Sequence, residues 1–186
     1  IDSLLKYLNI ESAHFFGHSW GGLLAQIYAA ENPNQVKSLF LCSPSSGVGG
    51  TWIKMEKEVM RYNKSKATTM GWLGIGYHSM WGALGFDFGY RKVFSKIWKF
   101  YFREPDSVAN ADENWLEGIS AAAVNKTRSS VLEANEAEFE KGIQKFQGPV
   151  IVTHGNFDIY GKSKEVYKER FKNATHYKFE NAGHLP

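Results

Sequence analysis

The pentapeptide Gly17-His18-Ser19-Trp20-Gly21 constrains this chain more than any other feature. It follows a short apolar run, Ala13 to Phe16, and opens a segment rich in small residues: Gly21, Gly22, Ala25, Ala29 and Ala30. A serine framed in this way sits at a sharp strand-to-helix turn. Glycines are expected on both sides because the backbone there is strained and flanking side chains would clash. The turn lifts the hydroxyl of Ser19 clear of the sheet, and the helix start beyond it aims backbone N–H groups at developing negative charge. The N–H of Trp20 is expected to be one such donor.

The elements around the turn have a consistent grammar. Apolar residues at 4, 5 and 8 predict a helix from Asp2 to Leu8. A second helix, from about Gly21 to Glu31, is stopped by Asn32-Pro33, because proline cannot continue a helix past its first turn. Lys37 to Cys42 then reads as a buried strand ending at Ser43-Pro44. Strand, helix and strand in succession predict a parallel sheet. The same grammar returns late in the chain, with a strand from Pro149 to His154, a helix over about 161–172 and a strand from Thr175 to Phe179.

Residues 47–145 break that alternation. Gly71, Gly74, Gly76, Gly82, Gly85 and Gly89 stand among bulky aromatics, and helical stretches follow near 91–103 and 112–145. Trp52, Trp72, Trp81, Trp98 and Trp115 all fall here. This predicts an aromatic-rich helical cap (47–145) inserted between two pieces of one core, 1–46 and 146–186. A set of ordinary crossover helices is the other reading.

A serine hydroxyl is a weak nucleophile unless a base, itself oriented by an acid, takes its proton. The strand 149–154 is followed by Gly155-Asn-Phe-Asp158, which puts a carboxylate at the far side of a turn. The strand 175–179 is followed by Asn181-Ala-Gly183-His184. Both residues lie beyond the C-terminal ends of their strands, where open α/β sheets build their sites. Ser19 as nucleophile, Asp158 as acid and His184 as base are therefore the expected catalytic set. His18 is expected to pack into the turn and His154 to line the acid loop, while His14, His78 and His176 show no partner pattern. No metal-ligand spacing occurs, and no G-x-G-x-x-G follows a strand, so neither a metal nor a cofactor is expected.

Charge and composition narrow the remaining classes. The net charge of +3 comes from interspersed signs, which gives no basic stripe for nucleic acid. The single cysteine, Cys42, rules out an internal disulfide framework and, at the end of an apolar run, reads as a small buried hydrophobe. No run approaches the ~18 apolar residues of a membrane span, and no basic-then-apolar leader opens the chain. A cytoplasmic location is the expectation. The chain opens inside a helix and stops at Gly-His-Leu-Pro, so both ends read as cut.

At these residues the sequence resembles the α/β-hydrolase superfamily, and more narrowly its proline iminopeptidase-like branch. Gly-His-Ser-Trp-Gly-Gly, then Leu-Leu-Ala-Gln-Ile-Tyr-Ala-Ala and Asn-Pro, carry the resemblance, with Trp20 a favoured residue after the nucleophile. It implies a mostly parallel sheet with flanking helices and an inserted cap, acyl-enzyme chemistry, and release of N-terminal proline or small apolar residues from short peptides. It also implies a cap carboxylate that holds the free amino terminus. Glu117, Glu133, Glu136 and Glu138 are candidates, and Glu117 beside Trp115 comes first, with Trp115 and Trp81 as apolar contacts. A solvated helix face is the plainer account of Glu133 to Glu140. The family's upstream oxyanion loop, a His-Gly-Gly-Pro-Gly-like turn, and the N-terminal strands of its sheet have no counterpart here. A carboxylesterase or carbon–carbon bond hydrolase acting on an apolar substrate fits the same residues, as does a non-catalytic binding protein on the same scaffold. A serine at position 19 argues against dehalogenase and epoxide hydrolase chemistry, which use an aspartate nucleophile.

Overall fold

The computed structural model describes residues 1–104 and 114–185. Its centre is one sheet of four strands, β1 (Ala13–His18), β2 (Val36–Cys42), β3 (Val150–Gly155) and β4 (Thr175–Phe179), in sequence order and all parallel. Parallel neighbours need crossovers, and helices supply them. Helix α1 (Asp2–Tyr7) precedes β1, α2 (Trp20–Glu31) joins β1 to β2, and α8 (Val166–Arg170) joins β3 to β4. Between β2 and β3 run α3 (Gly49–Lys66), α4 (Thr69–Ala83), α5 (Asp87–Ile97), α6 (Ala121–Glu133) and α7 (Glu136–Ile143). This is the α/β architecture that the strand–helix alternation predicts.

Strand periodicity decides which face is filled. Leu39 and Leu41 of β2, with Val150 and Val152 of β3, point to one side and pack with Ala25, Tyr28 and Ala29 of α2, Ile143 of α7 and Tyr167 of α8. On the other side Phe16, Phe40 and Ile151 form one cross-strand row, each more than a third exposed. Cys42 is buried and free at the end of β2. Helix α7, placed by sequence with the inserted helices, packs on α2 and adds Ile143 to the sheet's core.

The sequence underestimates the helical content of the segment between β2 and β3. Glycine weakens a helix by roughly 0.5–1 kcal/mol per residue relative to alanine, and Gly71, Gly74, Gly76 and Gly82 made 71–89 read as irregular chain. They lie inside α4 instead. A Cβ on Gly89 of α5 would fall 2.3 Å from the Gly82 nitrogen, and one on Gly82 would fall 2.6 Å from the Tyr90 ring. The two helices meet backbone to backbone, and that packing offsets the propensity loss. The expected helix over 91–103 ends at Ile97 and tightens into a 3-10 turn, Trp98–Tyr101. That over 112–145 divides into a 3-10 turn (Asn114–Gly118), α6 and α7, with residues 112 and 113 outside the described residues. The helix predicted over 161–172 shortens to a 3-10 turn and α8.

No helix among the described residues is long and apolar enough to cross a membrane.

Candidate active site

Ser19 caps α2 at the end of β1 with φ 53° and ψ −120°, a left-handed conformation that a non-glycine residue adopts only under constraint. The constraint is steric. A Cβ on Gly17 would lie 2.5 Å from the Gly21 carbonyl oxygen, and one on Gly22 would lie 2.6 Å from the Pro44 Cβ. These two glycines let strand, helix and the chain after β2 converge. Gly21 is different: a Cβ there meets nothing within 4 Å, so the expected clash belongs to Gly22, one residue further along.

The turn brings Ser19 to the residues expected from the far end of the chain. Ser19 Oγ lies 2.9 Å from His184 Nε2, and His184 Nδ1 lies 3.0 Å from Asp158 Oδ1. Asp158 and His184 are buried. Burial alone would raise the Asp158 pKa. Hydrogen bonds from His154 and His184, the His184 charge and a bond from Ser43 outweigh it and hold the carboxyl below the usual range. With Nδ1–H committed to the carboxylate, Nε2 of His184 is the free acceptor for the serine proton.

Several neighbours hold this line in place. His18 Nε2–H donates to the His184 carbonyl at 2.9 Å. Burial pushes its imidazole below the ordinary value, which keeps it neutral near pH 7. The amides of His184 and Leu185 both donate to the Tyr101 carbonyl, at 2.8 and 3.1 Å. His154 Nδ1 lies 3.4 Å from Asp158 Oδ2, so the carboxylate faces two imidazoles.

The sequence reading missed Tyr160 and the loop after β2. The Tyr160 hydroxyl lies 3.0 Å from Ser19 Oγ and 2.8 Å from Ser45 Oγ. Ser45 N–H donates to the Ser19 carbonyl at 2.9 Å, and Ser43 holds φ 41° beside the acid. The available signal was the Ser-Pro-Ser-Ser run closing β2, which by itself reads only as a strand end.

Beside Trp20 opens a cavity of about 740 Å³, within the usual range for small-molecule sites. Its wall is mainly apolar: Trp20, Trp52, Met60, Trp72, Ile75, Val93, Phe94 and Ile97. Glu56 is its carboxylate among the described residues, and Arg128 grips it through Nε at 2.6 Å and Nη2 at 2.8 Å. The structure does not bring the three tentative substrate contacts to this wall. Trp81 packs among Tyr77, Phe86 and Phe88, while Trp115 meets Phe94 and Trp98 edge-on and stays 44% exposed. Glu117 is exposed on the same 3-10 turn. The acidic run is not simply solvated. Glu136 accepts from Gly50 N, Thr51 N and the Thr51 hydroxyl at the start of α3, and Glu140 pairs with the buried Arg170.

A strained serine after β1, with a buried acid and histidine beyond β3 and β4, is the arrangement of an α/β-hydrolase-type site. The family model for the alpha/beta hydrolase fold matches residues 1–186, and the chain belongs to that family. Comparison with curated protein sequences gives no match. Among solved structures it is similar to an esterase from Exiguobacterium antarcticum, with 14% identity and a TM-score of 0.61, over 98% of this chain and 63% of that one. It is similar also to a meta-cleavage product hydrolase from Pseudomonas fluorescens IP01, with 15% identity and a TM-score of 0.54, over 99% and 62%. A monoacylglycerol lipase from Paleococcus ferrophilus matches at 20% identity and a TM-score of 0.56, over 98% and 63%. The chain thus spans less than two thirds of the length of these structures.

Proposed function

We propose that this chain carries the catalytic centre of a serine hydrolase that cleaves esters, or carbon–carbon bonds next to a carbonyl, in small apolar substrates. The observation that supports it most is the Ser19–His184–Asp158 line, with contacts of 2.9 and 3.0 Å that join a half-buried serine to a buried histidine and acid. His184 Nε2 takes the Ser19 proton as Oγ bonds to the substrate carbonyl carbon, and the carbonyl π electrons move to its oxygen. Trp20 is the first residue of α2, where an amide has no acceptor within its helix, and its N–H faces that oxyanion. His184 then gives the proton to the leaving group, an acyl-enzyme remains, and water repeats the sequence to release it. Asp158 orients the imidazole and stabilises its charged form. No cofactor takes part.

Residues 47–145 act in this reading as a cap that shapes the apolar cavity. The wall from Trp20 to Ile97 favours an acyl or aryl group over a charged one, and the names of the esterase, lipase and meta-cleavage product hydrolase neighbours agree with that. The iminopeptidase branch has less support. Capture of a free amino terminus calls for an unpaired carboxylate, and Glu56 is already held twice by Arg128. A non-catalytic binding protein would have no reason to keep all three groups aligned.

The test compares hydrolysis of a short-chain nitrophenyl ester and a proline arylamide, with fluorophosphonate labelling and Ser19→Ala as control. Ester cleavage and labelling, both lost in the variant, are expected. Arylamide cleavage in preference to the ester would return the assignment to an aminopeptidase. No labelling and no cleavage would overturn the hydrolase reading.

A further inference from the structure

Ser19 Oγ has a second close partner besides His184. The Tyr160 hydroxyl lies 3.0 Å from it and reaches Ser45 Oγ at 2.8 Å. Tyr160 is 4% exposed, its backbone N–H donates to Asp158 Oδ1 at 3.2 Å, and its ring meets His184 edge-on at 4.8 Å. One residue thus touches all three members of the serine–histidine–aspartate line, and its oxygen touches the reacting one.

The directions of these bonds follow from counting protons. In the reactive state the Ser19 proton points at His184 Nε2, which leaves only lone pairs of Oγ to meet Tyr160. The phenol must then donate to Ser19, and Ser45 must donate to the phenol. Protons therefore run in one direction, Ser45 to Tyr160 to Ser19 to His184. Burial pushes the Tyr160 phenol up to about 12, so it keeps its proton across the working range and acts as a donor, not as a base.

We propose that Tyr160 is a further catalytic residue, a hydrogen-bond donor to Ser19 Oγ that is oriented by Ser45. The inference rests on the serine hydrolase reading above. Oγ gains negative charge twice in a turnover: as its proton leaves for His184 on attack, and as it departs from the acyl carbon when water releases the product. A donor already in place strengthens at both moments, because a hydrogen bond to a charged oxygen is roughly twice as strong as one to a neutral hydroxyl. The phenol proton stays on Tyr160 throughout, and His184 alone exchanges a proton with Ser19.

Tyr160→Phe removes the hydroxyl and keeps the ring packed on His184. With a nitrophenyl ester, the expected result is a roughly ten- to hundredfold fall in kcat, somewhat below the loss from one oxyanion donor. KM should move less than about twofold, because the interaction strengthens only as charge develops on Oγ. Stopped-flow bursts should show acylation and deacylation both slowed. Ser45→Ala should lose less, and adding it to Tyr160→Phe should cost nothing more, since both act through one bond. A Tyr160→Phe kcat within twofold of the unaltered protein, or a loss confined to KM, would overturn the proposal while leaving the hydrolase reading intact. If the unaltered protein neither labels with fluorophosphonate nor cleaves ester, that reading fails and Tyr160's role goes with it.

Discussion

Asp158 and His184 meet at 3.0 Å with their side chains 0% and 2% exposed, one at the end of the β3 turn and the other beyond β4. The pair fixes the imidazole tautomer: Nδ1–H is given to the carboxylate and Nε2 is left as an acceptor for Ser19. Asp158→Asn keeps the shape but offers an amide that can donate to Nδ1, which favours the wrong tautomer. The expected loss in kcat is about 10³–10⁴ with KM little changed, as measured by steady-state ester hydrolysis.

The same carboxylate sets an acid limit on stability. Its folded pKa lies below the ordinary value, so between the two the unfolded chain binds more protons than the folded one. The stabilisation is complete above the unfolded pKa of about 3.9 and fades as pH falls through the folded pKa. Denaturant midpoints measured downward from pH 5 should therefore drop more steeply for the unaltered protein than for Asp158→Asn.

A matching limit stands at the alkaline end. Burial raises the phenols of Tyr101, Tyr160 and Tyr167, Tyr160 to about 12. Groups whose folded pKa is raised contribute stability that is complete below the unfolded value of about 10 and is lost as pH climbs through the folded one. Melting temperature should fall from about pH 10 upward. Phenolate absorbance of these three should appear only together with unfolding.

The parts of the site that were legible in the sequence are those written in local strings. Gly17 to Gly21 shows its turn because strand, glycines and small-residue helix are adjacent, and Asp158 and His184 each follow a readable strand. Tyr160 was not legible, because a tyrosine two residues after an acid gains meaning only when Ser45 and Ser19 fold against it from more than a hundred residues away. Glu136 and Glu140 misread as solvent-facing for the same reason: their partners, Thr51 and Arg170, are distant in sequence. The cavity wall was equally hidden. Trp52 and Trp72 line it while Trp81 and Trp115 pack elsewhere, and tryptophan content alone does not tell them apart.

Arg170 offers a test of that hidden polar layer. Its side chain is 1% exposed, and its guanidinium binds Glu140 through Nε and Nη2, Gln26 Oε1 at 2.9 Å and the Ser46 carbonyl at 2.6 Å. It ties α8 to α7, α2 and the loop that orients Tyr160. Removing one partner strands a buried charge, so Glu140→Ala should destabilise by about 3 kcal/mol in urea unfolding. Replacing both with apolar residues of similar volume, Glu140→Leu with Arg170→Met, should recover only part of that loss, because Gln26 Oε1 and the Ser46 carbonyl then lose their buried donor.

The glycines of α4 and α5 divide into two kinds, and substitution by alanine separates them. Gly89 faces the Gly82 nitrogen at 2.3 Å and the His78 carbonyl oxygen at 2.7 Å from an added Cβ, so the helices would have to part. Gly89→Ala should cost about 1–3 kcal/mol through overpacking. Gly76 sits in α4 with nothing within 4 Å of such a Cβ. There alanine restricts the unfolded chain and meets no obstacle, so Gly76→Ala should stabilise by roughly 0.5–1 kcal/mol. Thermal unfolding of the two variants should shift in opposite directions. A stabilising Gly89→Ala would mean that α4 and α5 do not pack backbone to backbone in solution.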